Sequence, residues 1–132
     1  MRYEIEFHDD GPADVEIALG GSASPIALRE FSDALERDPR FRAGLRMLVD
    51  ISQLDPGDVA DGHIAELAQR IVARDWDYAP GAVAIVAPDV QTFRGAQAYR
   101  AHLGGSKSNR HIVNSRAEGL AWLEEQRARS DG

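Results

Sequence analysis

"LRMLVDISQLDPGDVADGHIAEL", residues 45–67, opens on a nearly unbroken apolar run, crosses an acidic loop and enters a helical repeat. Its first seven residues, "LRMLVDI", read as a strand buried on both faces, since a sheet covered from both sides has no wet face to alternate with. Further on, Ile64, Leu67, Ala68, Ile71 and Val72 follow the i, i+3, i+4, i+7, i+8 stripe of a helix with one core face. A second apolar run, "GAVAIVA", stands at 81–87. Two such strands with a helix between them predict a parallel pair joined by a crossover.

Upstream, "RYEIEF" and "DVEIAL" alternate polar with apolar residues around the turn-rich "HDDGPAD", which predicts an antiparallel hairpin with one wet face. "SPIALREFSDALERDP" reads as a helix, with Ser24 as its cap and Pro25 in the first position. Leu28, Phe31 and Leu35 form its stripe, and Pro39 stops it. Downstream, Asp89 can cap a helix running to about Leu103, with Phe93, Ala96, Tyr99 and Leu103 inward and Gly104 and Gly105 as terminators. "RHIV" is a short strand. "SRAEGLAWLEEQ" then opens with Ser115 and Glu118 in capping-box spacing. The expected strands lie near 2–7, 14–19, 45–51, 82–87 and 110–113. The fold class is α/β in the order ββαβαβαβα: a mostly parallel sheet, an N-terminal antiparallel pair, helices on both faces. One domain over 1–126 and a flexible tail over 127–132 complete the expectation.

Composition sets the outer limits. At 43% hydrophobic residues the 132-residue chain can fill a core. It holds no cysteine, so disulfides, thiolate nucleophiles and cysteine zinc sites are excluded. The apolar run "AVAIVA" falls far short of the ~20 residues of a membrane helix, and "MRYEIEFHDD" has no signal core. A cytoplasmic protein is the expectation. A net charge of −7 argues against nucleic acid as a partner. That charge is uneven: residues 90–117 hold Arg94, Arg100, Lys107, Arg110 and Arg116 and no acid, so +5 there leaves −12 elsewhere. Such a segment is either a solvated face or a surface for an anionic partner.

The phrases "DPRFRAGLRMLVDISQLD", "VAIVAPD" and "SRAEGLAWL" resemble small bacterial SpoIIAA-like proteins, relatives of the STAS and CRAL-TRIO folds. The resemblance spans nearly the whole chain and rests on structural phrases: a strand, a helix cap, a final helix with Trp-Leu. It implies a β-α superhelix behind an N-terminal strand pair, and no catalysis. In STAS anti-sigma-factor antagonists a serine at the helix start after the LVD-type strand is phosphorylated. A helix N-terminus suits that, because it offers free N–H groups and partial positive charge. Here the family's Asp-Ser-Ser-Gly aspartate falls on Asp58 and its serines on Val59 and Ala60, so no hydroxyl stands at the switch. Asp58 reads as a helix cap, with Asp61 in the first turn. Ser52, the nearest hydroxyl, sits at the strand exit, where serine usually bonds local backbone.

Other chemistry is thin. Asp55, Asp58 and Asp61 do not fit a calcium loop: with Gly62 at the sixth position, Gly57, Val59 and Ala68 occupy ligand places. His8, His63, His102 and His111 lack zinc spacing. "GGSKS" at 104–108 lacks phosphate-loop spacing and leads from helix to strand. No metal or cofactor is expected, and no enzyme. Two function classes follow. One is a regulatory or protein-interaction module of STAS type, with a homodimer among its forms. The other is a small-ligand or lipid-binding module of CRAL-TRIO type with an apolar cavity. In open α/β sheets, recognition gathers beyond the carboxyl ends of the strands. That places the candidate binding residues at Asp50, Ser52, Asp58, His63, Asp89, Asn114 and Ser115, a carboxylate-rich rim better suited to amide, hydroxyl or cationic groups than to phosphate.

Overall fold

The two apolar runs are neighbours. β3 (Arg46–Asp55) and β4 (Ala82–Val86) pair in parallel, with Leu48 opposite Ala84 and Asp50 opposite Val86. The computed structural model describes residues 1–42, 44–55, 81–102 and 109–131. β1 (Arg2–Phe7) and β2 (Val15–Ser22) form the antiparallel hairpin, and β5 (Asn109–Val113) closes a five-stranded sheet of order β1-β2-β3-β4-β5. Beyond the hairpin every pairing is parallel. The expected α/β class with an antiparallel N-terminal pair is therefore present.

Alternation along β3 and β4 explains why both runs are continuously apolar. Met47, Val83 and Ile85 face one side, with Val15 and Ile17 of β2, and meet Leu35 of α1 (Pro25–Arg37) and Ala96 of α2 (Val90–His102). Leu48, Ala82, Ala84 and Val86 face the other side, where Leu123 of α3 (Arg116–Asp131) joins them. The sheet thus has a helix layer on each face. β1 shows the expected single wet face: Ile5 and Phe7 pack against the first core, while Arg2, Glu4 and Glu6 are exposed.

Local chemistry sets the helix starts. Ser24 Oγ accepts the Ala27 N–H at 3.1 Å, and Pro25 takes the first position, where its missing N–H costs nothing. Four expectations are corrected. β2 runs on to Ser22 instead of Leu19, because β3 continues beside it to Asp55. In α2 Ala96 is buried as expected, but Phe93 is 38% exposed and the smaller Thr92 is buried in its place. The stretch expected as a tail is helical through Asp131, with Arg127 and Glu124 3.7 Å apart on consecutive turns. β5 begins one residue early, at Asn109. The helix expected over 64–73 lies outside the described residues, as do Leu103 and the "GGSKS" segment.

Candidate functional site: the polar rim at the strand ends

β3 carries the rim. Between the pairs Ala18–Asp50 and Gly20–Gln53, β2 offers one residue, Leu19, where β3 offers two, Ile51 and Ser52. Such a bulge takes a backbone N–H out of the ladder, and a half-buried N–H needs an acceptor. Asp50 supplies it: its Oδ1 accepts the Ser52 N–H at 2.8 Å. The row Ala18–Asp50–Val86–Val113 lies just beyond the row Glu16–Leu48–Ala84–His111, on the face that α3 covers. Asp50 is half-buried, and among the described residues its second oxygen accepts no hydrogen bond.

The other rim residues divide into two kinds. Asp89 Oδ1 accepts the Thr92 N–H at 2.8 Å, and Thr92 Oγ1 donates to the Asp89 carbonyl at 3.3 Å, so Asp89 is the cap of α2. Ser115 Oγ accepts the Glu118 N–H at 3.2 Å and caps α3. The expected capping box closes one residue early, since Glu118 Oε2 takes the N–H of Asn114 at 3.0 Å. Asn114 contributes that backbone group while its exposed side chain bonds nothing among the described residues, and the same holds for the half-buried Ser52 hydroxyl. Asp50, Ser52 and Asn114 therefore keep hydrogen-bonding capacity, and Asp89 and Ser115 are engaged at home. Val113 and Asp50 flank Val86, about 10 Å apart at two strand spacings. Asp58 and His63 lie outside the described residues.

Two ionic clusters beside the sheet have no signature in the sequence. His8 Nε2 donates to Glu16 Oε2 at 2.7 Å, and Arg116 grips the same carboxylate from α3, Nε to Oε1 at 2.8 Å and Nη2 to Oε2 at 3.1 Å. Arg116's hydrogen bonds hold the Glu16 carboxyl below its ordinary range; burial opposes this and His8 adds to it. Two residues before Glu16, Asp14 takes two N–H groups of the Arg46 guanidinium at 3.0 and 3.2 Å and the Arg46 backbone N–H at 2.9 Å. Burial pushes the Asp14 carboxyl up, but the Arg46 bonds and charge, with Arg42 beyond, outweigh it and leave it lowered. These contacts also dissolve the idea of one basic face over 90–117. Arg116 is paired with Glu16, and Arg110 is 7% exposed inside the fold.

No family model and no curated protein matches the chain. One solved structure does: the crystal structure of an uncharacterized protein from the DUF3478 family with a SpoIIAA-like fold, from Shewanella loihica PV-4. It superposes with a TM-score of 0.57 over 92% of both chains, at 18% identity. At that identity the likeness speaks for architecture alone, and it agrees with the strand order and the parallel pairings described above. The chain has a SpoIIAA-like fold.

Proposed function

We propose that this protein is a non-enzymatic interaction module of STAS-like type that engages a protein partner through the rim around Asp50. The observation behind this reading is Asp50 itself: one carboxylate oxygen is anchored on the bulge N–H and the other is unengaged among the described residues. A carboxylate held in this way accepts a hydrogen bond from an amide, hydroxyl or cationic group without reorganising first. It stands midway along β3 but level with Val86 and Val113, the last residues of β4 and β5, and so beside the carboxyl ends of those strands, where α/β sheets present recognition groups. Its charge disfavours phosphate. Asp89 and Ser115 are tied into caps, which leaves Asp50, Ser52 and Asn114 as the described rim residues with hydrogen-bonding capacity, a set suited to binding.

The apolar-ligand reading of CRAL-TRIO type has less behind it. On the α3 face the helix touches the sheet directly: a Cβ at Gly119 would stand 2.5 Å from Leu48 Cδ1, so no acyl chain fits between them. Affinity capture with mass spectrometry, run beside native mass spectrometry of the purified protein, separates the two. Stoichiometric enrichment of one protein, with a native mass free of small-molecule adducts, is expected. A co-purifying lipid or other apolar adduct would favour the ligand module instead.

A further inference from the structure

β1 pairs with β2 on one side, and among the described residues no strand covers its other side. The phase of its hydrogen bonds follows from one contact. The His8 N–H donates to the Asp14 carbonyl at 2.8 Å, in line with the register Arg2–Gly20 to Phe7–Val15. Bonded pairs alternate along an antiparallel ladder, so Arg2, Glu4 and Glu6 direct their backbone groups at β2. Tyr3, Ile5 and Phe7 therefore turn their N–H and C=O groups to the open edge. That edge contains neither proline nor glycine. Tyr3 is 43% exposed and its ring leans on Phe31 of α1 at 5.3 Å between centroids. Arg2, Glu4 and Glu6 are exposed and within ion-pair distance of no charge among the described residues, although Glu6 lies near enough to Arg116 to feel its charge.

We propose that this edge joins a second copy of the same chain, β1 against β1 in antiparallel register about a two-fold axis at Glu4. The occupant is chosen by charge complementarity. In this register Arg2 of each copy stands opposite Glu6 of the other, and Tyr3 exchanges both backbone bonds with Ile5 of the other, twice by symmetry. Moving the axis to Ile5 would set Glu4 opposite Glu6, acid against acid, while moving it to Tyr3 would leave fewer paired residues. The Tyr3 and Ile5 side chains of the two copies then line one face beside Phe31, and two five-stranded sheets become one of ten strands. The cost is the meeting of the two Glu4 carboxylates on the axis, eased by the diagonal Arg2 of each copy. This proposal stands independently of the rim reading, because the open edge of β1 is a different surface from the rim around Asp50.

Cysteine cross-linking tests the register directly, since the chain has no cysteine of its own. Opposed residues in such a pair have Cβ atoms about 4.5–5.5 Å apart, close enough for a disulfide. Under mild oxidation Glu4→Cys should run as a covalent dimer on a non-reducing gel, and Glu6→Cys should remain mostly monomer. In sedimentation equilibrium Glu6→Arg should weaken self-association roughly tenfold, because both cross-strand pairs turn repulsive. The exchange Arg2→Glu with Glu6→Arg should restore it. Equal cross-linking of the two cysteine variants, or a wild-type chain that stays monomeric at every concentration, would overturn the proposal. In the latter case the charges serve only to keep the edge unpaired.

Discussion

Gly119 of α3 lies so close to Leu48 of β3 that a Cβ added to it would stand 2.5 Å from Leu48 Cδ1 and 3.4 Å from Val113 Cγ2. Leu48 is buried, and its neighbour Leu123 on α3 is wholly buried, so neither can give way cheaply. Gly119→Ala should therefore destabilise the fold by about 1–3 kcal/mol, the usual cost of overpacking. Urea unfolding followed by circular dichroism measures it. Combining it with Leu48→Val should recover part of the loss. An unchanged midpoint for Gly119→Ala would mean that α3 does not pack on the sheet this closely.

The Asp14–Arg46 pair ties the loop before β2 to the start of β3, and both side chains are about four-fifths buried. Among the described residues the buried Arg46 Nη1 has no partner, and Asp14 is the carboxylate that the guanidinium binds. Asp14→Ala should cost about 2–3 kcal/mol, since a hydrogen-bonded charge would be left behind in a poorly hydrated site. Asp38→Ala, which removes the pair with the largely exposed Arg40, should cost clearly less on the same unfolding curve, because that guanidinium is left in water.

Acid should weaken the protein in a defined window. Asp14 and Glu16 both have lowered carboxyls in the folded state, against ordinary values of 3.8 and 4.5. A lowered folded-state value means that the unfolded chain takes up the proton first. Their contribution is complete above about pH 4.5 and drains away as the pH falls through the lowered folded values. Unfolding free energy measured from pH 6 down to pH 3 should fall across that window, and Asp14→Asn should flatten the fall. A wild-type profile that is level through it would contradict the ion-pair account.

The acidic loop should carry no phosphate. By the resemblance to STAS antagonists, Val59 and Ala60 fall at the positions of that family's hydroxyls, and Ser52, the nearest hydroxyl, belongs to the bulge of β3. Intact-mass and peptide analysis of protein from its native cell should find residues 52–63 unmodified. A phosphate mapped there would restore the switch.

Much of this architecture was legible in the residues. "AVAIV" is apolar on both faces because helices cover both sides, while "LRMLVDI" is apolar throughout on one face and has Leu48 between Arg46 and Asp50 on the other; the two strands pair as that pattern implies. Ser24, Asp89 and Ser115 announced their caps through local spacing. The bulge at Ile51 and Ser52 was not legible, because it depends on the register against β2, more than thirty residues earlier. Phe93 was misplaced because a repeat of three or four residues cannot tell which of two adjacent positions is buried when the smaller residue takes the inner one. The Glu16–Arg116 contact joins residues one hundred positions apart, and no periodicity reaches that far. Of the rim, the sequence could offer the set of residues at the strand ends but not the division between caps and unengaged groups. That division is set by hydrogen bonds.

The most direct test of the account is a quantitative capture experiment with three baits: the wild-type chain, Asp50→Ala and Asp38→Ala. Asp50→Ala removes the half-engaged carboxylate midway along β3, level with the end of β4, and circular dichroism with urea unfolding establishes that the fold remains. The account predicts that the protein enriched by the wild-type chain is retained by Asp38→Ala and reduced at least roughly tenfold by Asp50→Ala, the scale of one charge-assisted hydrogen bond. Equal enrichment by all three baits would contradict it and move recognition away from the rim.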